Sequence, residues 1–273
     1  MFTYKTEGGH EGEILYFPRT YAGGENYQMV ITSPVIFDEK ILYAGRDSFI
    51  NFFTLRGVSV YLVRKKPSIG LRQYGQDFLK AALIELRKKS AQENWVLGGI
   101  SMGGIGVLYY LMQEEKAGRL ARRVDKVFFL GTGFDYNYPG SVAEKTAGAN
   151  DRFCVENPVL CENLFGEKNL PLYPAEFVHL RKDQIVAARN EEALRDIVPG
   201  AIFIGGKIDN FAPSESIFPI YNLYGRKQAK GNVRFYQASE VNFYQKDFHH
   251  MDLFRYSEAF SKLYEELNYY LRF

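Results

Sequence analysis

The chain has 273 residues and a mass of 31.4 kDa, with 46% apolar and 24% charged residues. This is a soluble globular profile, which excludes disorder, collagen and coiled coil. Lys plus Arg number 34 against 32 Asp plus Glu, a net charge of +2, so no basic face for nucleic acid is expected. No apolar run reaches the roughly 18–20 residues of a membrane helix.

The N-terminus, MFTYKTEGGHEGE, has no basic stretch followed by an apolar core, so no signal peptide is expected and the placement is cytoplasmic. Gln28 to Thr32 (QMVIT) reads as the first strand. A helix is predicted around Asp47 to Arg56, closed by Gly57. Val58 to Val63 is a β-branched run expected as a buried strand. Gln76 to Lys89 sets Leu79, Ala82, Leu83 and Leu86 on one helical face. Trp95 to Ile100 is the next strand. Ile105, Leu108, Tyr109 and Met112 mark the helix after it, stopping near Gly118. Strands follow at Lys126 to Leu130, Ala201 to Ile204 and Val233 to Tyr236. The last helix presents Tyr256, Phe260, Leu263, Leu267 and Leu271 on one face.

Alternating strands and helices predict an α/β fold, a mostly parallel sheet covered on both faces, with chemistry beyond the carboxyl ends of the strands. The stretch from Asp135 to Arg195 breaks the alternation. It contains Pro139, Pro158, Pro171 and Pro174, many aromatics and no clear strand. Within one domain spanning 1–273, residues 135–195 are expected to form a cap or lid inserted between core strands.

Gly99-Ile100-Ser101-Met102-Gly103 is a G-x-S-x-G motif between a strand and a helix. A serine on such a tight turn projects its Oγ above the sheet, and glycines two before and two after remove the clashes of the turn. The N–H of Met102 would face a developing oxyanion, aided by the helix N-terminus. The second donor is expected from Ser33-Pro34-Val35-Ile36, as Val35 or Ile36, because Pro34 has no N–H. A serine hydroxyl needs a base, and the base an orienting acid. At a strand–turn–helix nucleophile the chain order is serine, acid, histidine. His250 is the favoured base, in Asp247-Phe248-His249-His250-Met251-Asp252 before the last helix, with His249 the alternative. Asp209 closes GGKID just past a strand and is the favoured acid; Asp135 is the alternative.

This order of strand, loop, GISMGG turn, late GGKID and final HHMDLF resembles the α/β-hydrolase superfamily over nearly the whole chain. Several segments further resemble the polyhydroxyalkanoate synthases: SPVIFDEKILY, SFINFFTLRGVSVYLVRKKP, DFLKAALIELRKK, GTGFDYNYPGS and GGKIDNFAPSES. That likeness implies an acid at Asp209 and a base at the His249–His250 position. The synthases carry a cysteine where this chain has Ser101, and usually an extra N-terminal region. The departure favours hydrolysis or simple acyl transfer over polymerisation.

The expected activity is hydrolysis of a small-molecule carboxylic ester or thioester through an acyl-enzyme, in the manner of an esterase, lipase or thioesterase. The alternatives are a synthase-like acyltransferase and a non-catalytic binding protein on a hydrolase fold. No cofactor, metal or nucleic acid is expected, and no pattern speaks to an oligomeric state. Cys154 and Cys161 are expected as two free buried thiols in a reducing cell, with a bridge as the alternative.

Overall fold

In a computed structural model, the structure describes the chain except residues 21–26, 68, 90–93, 119–123, 151, 169, 228–231, 256 and 273. Its frame is an eight-stranded sheet. The strands are β1 (Phe2–Lys5), β2 (Glu11–Phe17), β3 (Gln28–Thr32), β4 (Ser59–Val63), β5 (Trp95–Ile100), β6 (Lys126–Leu130), β7 (Gly200–Gly206) and β8 (Val233–Ala238), in the spatial order β1-β2-β4-β3-β5-β6-β7-β8. From β4 to β8 every neighbour is parallel, while β1–β2 and β2–β4 pair antiparallel.

The central strands form where the sequence carries unbroken apolar runs. WVLGGI is buried at every position, as a parallel strand covered on both faces must be. The antiparallel pair β1 and β2 is an addition that the sequence did not announce. Their residues mix charge with apolar groups, and both are only partly buried.

The pleat sends successive side chains to opposite faces. Phe128 meets Phe49 of α1 (Phe49–Thr54), which also stacks edge-on against Tyr264 of α12 (Tyr264–Arg272). Phe129, one residue on, faces the other side with Phe134, Phe203 and Tyr224. That side also carries α4 (Gly103–Lys116), whose Gly104 packs on Gly99. Packed against α4 is a longer helical stretch than predicted: α2 (Leu71–Gln73), a π turn (Tyr74–Leu79) and α3 (Lys80–Lys89). The predicted final helix is two, α11 (Asp252–Arg255) and α12, joined through a π turn at Ala259–Leu263. Leu263, Leu267 and Leu271 are buried as expected, whereas Tyr256 and the Phe260 side chain lie outside the described residues. No described helix is long and apolar enough to cross a membrane.

Between β6 and β7 the chain runs through short helices: α5 (Val142–Lys145), α6 (Phe153–Glu156), α7 (Pro158–Phe165), α8 (Val178–Lys182) and α9 (Glu191–Asp196). Pro158 opens α7, where its missing N–H costs nothing, and Gly166 closes it at φ 83°. Cys154 and Cys161 are joined by a disulfide between α6 and α7, which corrects the expectation of free thiols. Spacing alone could not decide this, since the pairing depends on how two short helices turn back on each other. Beyond them, α10 (Ser214–Tyr221) follows β7.

Candidate active site

Ser101 stands between β5 and α4 with φ 48°, in the left-handed region that ordinary side chains avoid. Its N–H donates to Leu130 O at 2.9 Å, tying the turn to β6. The Ile100 N–H donates to Thr32 Oγ1 at 3.1 Å. The flanking glycines are needed sterically. A Cβ on Gly99 would lie 2.6 Å from Gly104 Cα, and one on Gly103 would lie 2.3 Å from Ser33 O. Both distances are shorter than real Cβ atoms show, so the motif brings the nucleophile turn and the Ser33–Ile36 loop into direct backbone contact.

Ser101 Oγ lies 3.0 Å from His250 Nε2. The other ring nitrogen, Nδ1, lies 2.9 Å from Asp209 Oδ2. The second carboxylate oxygen, Oδ1, accepts the N–H groups of Phe211 (3.0 Å) and Ala212 (2.9 Å), which fixes the carboxylate's orientation. The line of three is buried: Ser101 and His250 are 0% exposed and Asp209 1%. An imidazole held this way presents a bare nitrogen to the hydroxyl when its proton sits on Nδ1, the tautomer that the carboxylate favours.

Met102, Val35 and Ile36 are all buried beside this turn. Among the described residues their N–H groups donate to no protein acceptor. Buried backbone donors are rarely left unmade. Val35 adopts φ 82°, a strained conformation for a β-branched side chain.

The alternative candidates lie elsewhere. Asp135 accepts the N–H groups of Asn137 (3.0 Å) and Ala187 (3.1 Å), and so braces the start of the helical segment. His249 donates its backbone N–H to Asp252 Oδ2 at 2.8 Å and packs on Gly166.

The sequence reading missed the walls. Four phenylalanine rings surround the His250 imidazole at centroid distances of 4.6 Å (Phe211), 5.5 Å (Phe254), 6.0 Å (Phe37) and 6.2 Å (Phe165). Their positions, two next to Asp209 and His250 and two in loops, carry no periodic signal. Tyr136 was missed as well. Its buried hydroxyl has no partner among the described residues, and burial, with the charges of Tyr138 and Asp209, pushes its phenol well above the ordinary value.

The helical segment is fastened over this region. Phe37 bridges to Leu172, and Tyr173 N–H donates to Ile36 O at 2.7 Å. Met251 N–H donates to Phe165 O at 3.0 Å. A buried polar chain adds to this. Lys65 pairs with Glu176, and His179 lies 3.7 Å from Glu176 and 2.8 Å from Asp183, which also accepts the N–H of Leu71. Burial raises the Asp183 carboxyl, but the hydrogen bonds from His179 and Leu71, with the charges of His179 and Lys65, hold it below the ordinary carboxylate value.

Two clefts flank Phe37. One, of about 510 Å³, is walled by Ser33, Val35, Phe37, Pro67, Leu172 and Tyr173. The other, of about 640 Å³, is bordered by Phe37 and Phe254 and by a polar rim.

A sheet in this order, with a serine on a strained strand-to-helix turn, defines the α/β-hydrolase fold, and solved structures agree. The chain is similar to an esterase (EaEST) from Exiguobacterium antarcticum at 13% identity and a TM-score of 0.65, covering 99% of each chain. It is similar to a thermophilic esterase from Thermogutta terrifontis at 15% identity and a TM-score of 0.62, covering 100% of this chain and 99% of that one. A lipase-esterase related protein from Clostridium acetobutylicum gives 16% identity and a TM-score of 0.63, covering 94% and 99%. No protein-family model matches the chain, and no curated protein matches it in sequence.

Proposed function

We propose that this protein is a serine hydrolase that cleaves a carboxylic ester or thioester through an acyl-enzyme. The observation that carries the reading is the buried line from Ser101 Oγ through His250 to Asp209, at 3.0 and 2.9 Å. The esterase titles among structures of the same fold are consistent with it.

Ser101 Oγ gives its proton to His250 Nε2 as it bonds to the acyl carbon. Asp209 holds the ring and stabilises the imidazolium that forms. The oxyanion is met by the N–H of Met102 together with that of Val35 or Ile36. As the tetrahedral adduct collapses, the bond to the leaving oxygen or sulfur breaks, and His250 passes its proton to that atom. A water then loses a proton to His250 as its oxygen bonds to the acyl carbon. The acid departs and the proton returns to Ser101 Oγ. Residues 135–195 serve as the cap of this site, since Phe165 and Leu172 lie against its walls. Fluorophosphonate labelling of wild type and Ser101→Ala, read by intact mass beside hydrolysis of short aryl esters, tests the reading. A single adduct lost in the variant supports it. Full esterase activity in Ser101→Ala overturns it, and no adduct on the wild type moves the non-catalytic binding protein forward.

Acyl transfer, in keeping with the likeness to polyhydroxyalkanoate synthases, is favoured by one observation: the triad is closed to solvent, which would keep water from the acyl-enzyme. Products from a hydroxyacyl thioester decide between the two, because free acid alone rules out transfer. Cytoplasmic placement belongs to the same proposal, and the Cys154–Cys161 bond stands against it, since such bonds are uncommon in reducing compartments. Counting thiols in protein alkylated at lysis tests the placement.

A further inference from the structure

The two halves of a substrate must lie on different sides of this site. The acyl oxygen turns toward the oxyanion donors. The leaving atom must lie toward the imidazole that protonates it. The 510 Å³ cleft carries Ser33 and Val35 of the oxyanion loop and is mainly apolar. The 640 Å³ cleft is bordered by Phe37 and Phe254, both packed against the His250 ring. It therefore lies on the leaving-group side.

Its rim is polar. Lys40 and Arg46 line it and have no ion pair among the described residues. Arg255 is paired with Glu167. Two carboxylates also line the cleft, Asp38, whose Oδ1 accepts the Lys40 N–H, and Asp47, so the cations exceed the acids by one. Ser48 adds a separate sign. It is 3% exposed, lines the cleft, and its hydroxyl has no partner among the described residues. Although it precedes α1, its side chain makes no capping bond. A buried hydroxyl is normally satisfied, so an unmade one beside unpaired cations points to a partner that arrives with a ligand.

We propose that this cleft is the leaving-group subsite, and that it takes an alcohol or thiol bearing a negatively charged group, carboxylate or phosphate, held by Ser48 Oγ with Arg46 and Lys40. The proposal rests on the serine-hydrolase reading. The test uses aryl esters of one short acyl chain whose phenol is neutral, carboxylate-bearing or phosphate-bearing. Each kcat/KM is divided by the ester's rate with hydroxide, so that intrinsic reactivity cancels. Wild type is expected to prefer an anionic leaving group by about tenfold, the worth of one charge-assisted hydrogen bond. The preference should shrink in high salt. In Arg46→Gln and Ser48→Ala it should fall toward one, chiefly through KM. The better of the two anionic esters assigns the group. Equal rates for all three esters in wild type overturn the proposal, as does a preference that survives both variants. Labelling of Ser101 in the same preparations separates the failures. An adduct without a charge preference overturns the subsite alone, whereas no adduct overturns the reading beneath it.

Discussion

Replacing Asp209 by Asn changes one atom and should stop the reaction without unfolding the protein. Asp209 Oδ1 receives two backbone N–H groups, from Phe211 and Ala212. An amide NH2 placed there would set donor against donor, so Asn must turn its oxygen to those N–H groups. Its NH2 then faces His250 Nδ1 at the position of the present 2.9 Å contact. To accept, Nδ1 must give up its proton, which moves to Nε2. Nε2–H can no longer take the Ser101 proton. The same change of tautomer in Ser-His-Asp enzymes costs about 10⁴ in kcat, or roughly 5.5 kcal/mol of barrier. Every hydrogen bond keeps a partner, so stability should shift by no more than about 1 kcal/mol. Initial rates on a short aryl ester measure the first quantity and urea unfolding the second. Asp135→Asn is the control, because its bonds from Asn137 and Ala187 serve the backbone alone. The reasoning fails if Asp209→Asn stays within tenfold of wild type, or if Asp135→Asn loses as much.

Other outcomes follow from the surroundings. Phe165→Ala should lower stability by about 3–5 kcal/mol through the cavity it leaves. It should also speed fluorophosphonate labelling of Ser101, because that ring walls His250; an unchanged labelling rate in folded protein would mean the wall does not limit entry. Reducing the Cys154–Cys161 bond, whose partners are seven residues apart, should cost about 2–3 kcal/mol by loop entropy. Melting with and without reductant should differ by roughly 5–10 °C, and identical curves would refute this. The Asp183 carboxyl is held low in the folded state, so its contribution is present above the unfolded carboxylate range and is lost as pH falls through the lower folded value. The stability gap between wild type and Asp183→Asn should therefore close below about pH 4; a gap constant from pH 7 to 3 would contradict it.

The strands that could be read from sequence were those with no choice of face. QMVIT, WVLGGI and KVFFL were bounded to the residue because parallel strands covered on both sides are uninterrupted apolar runs. β1 and β2 escaped because FTYK and EGEILYF serve a half-exposed edge, where charge and apolar groups mix. Ser101, Asp209 and His250 were found by their places at strand ends. They meet because β5 and β7 flank β6 and the histidine loop returns to the end of β7, where Phe248 O receives the N–H of Ile208. The phenylalanine walls and the Cys154–Cys161 bond depend on how residues 135–195 fold back over the sheet. Short helices of four to eight residues carry too few turns for periodicity to report that.

Val35 shows where this protein would resist improvement. A glycine in its place would relax the left-handed backbone and raise the melting temperature, a change that stability screens reward. The same freedom would let the loop's N–H groups wander from the nucleophile. Selection for heat resistance alone should therefore enrich Val35→Gly among sluggish variants, whereas selection for turnover should keep a branched side chain there and gather its stabilising changes elsewhere.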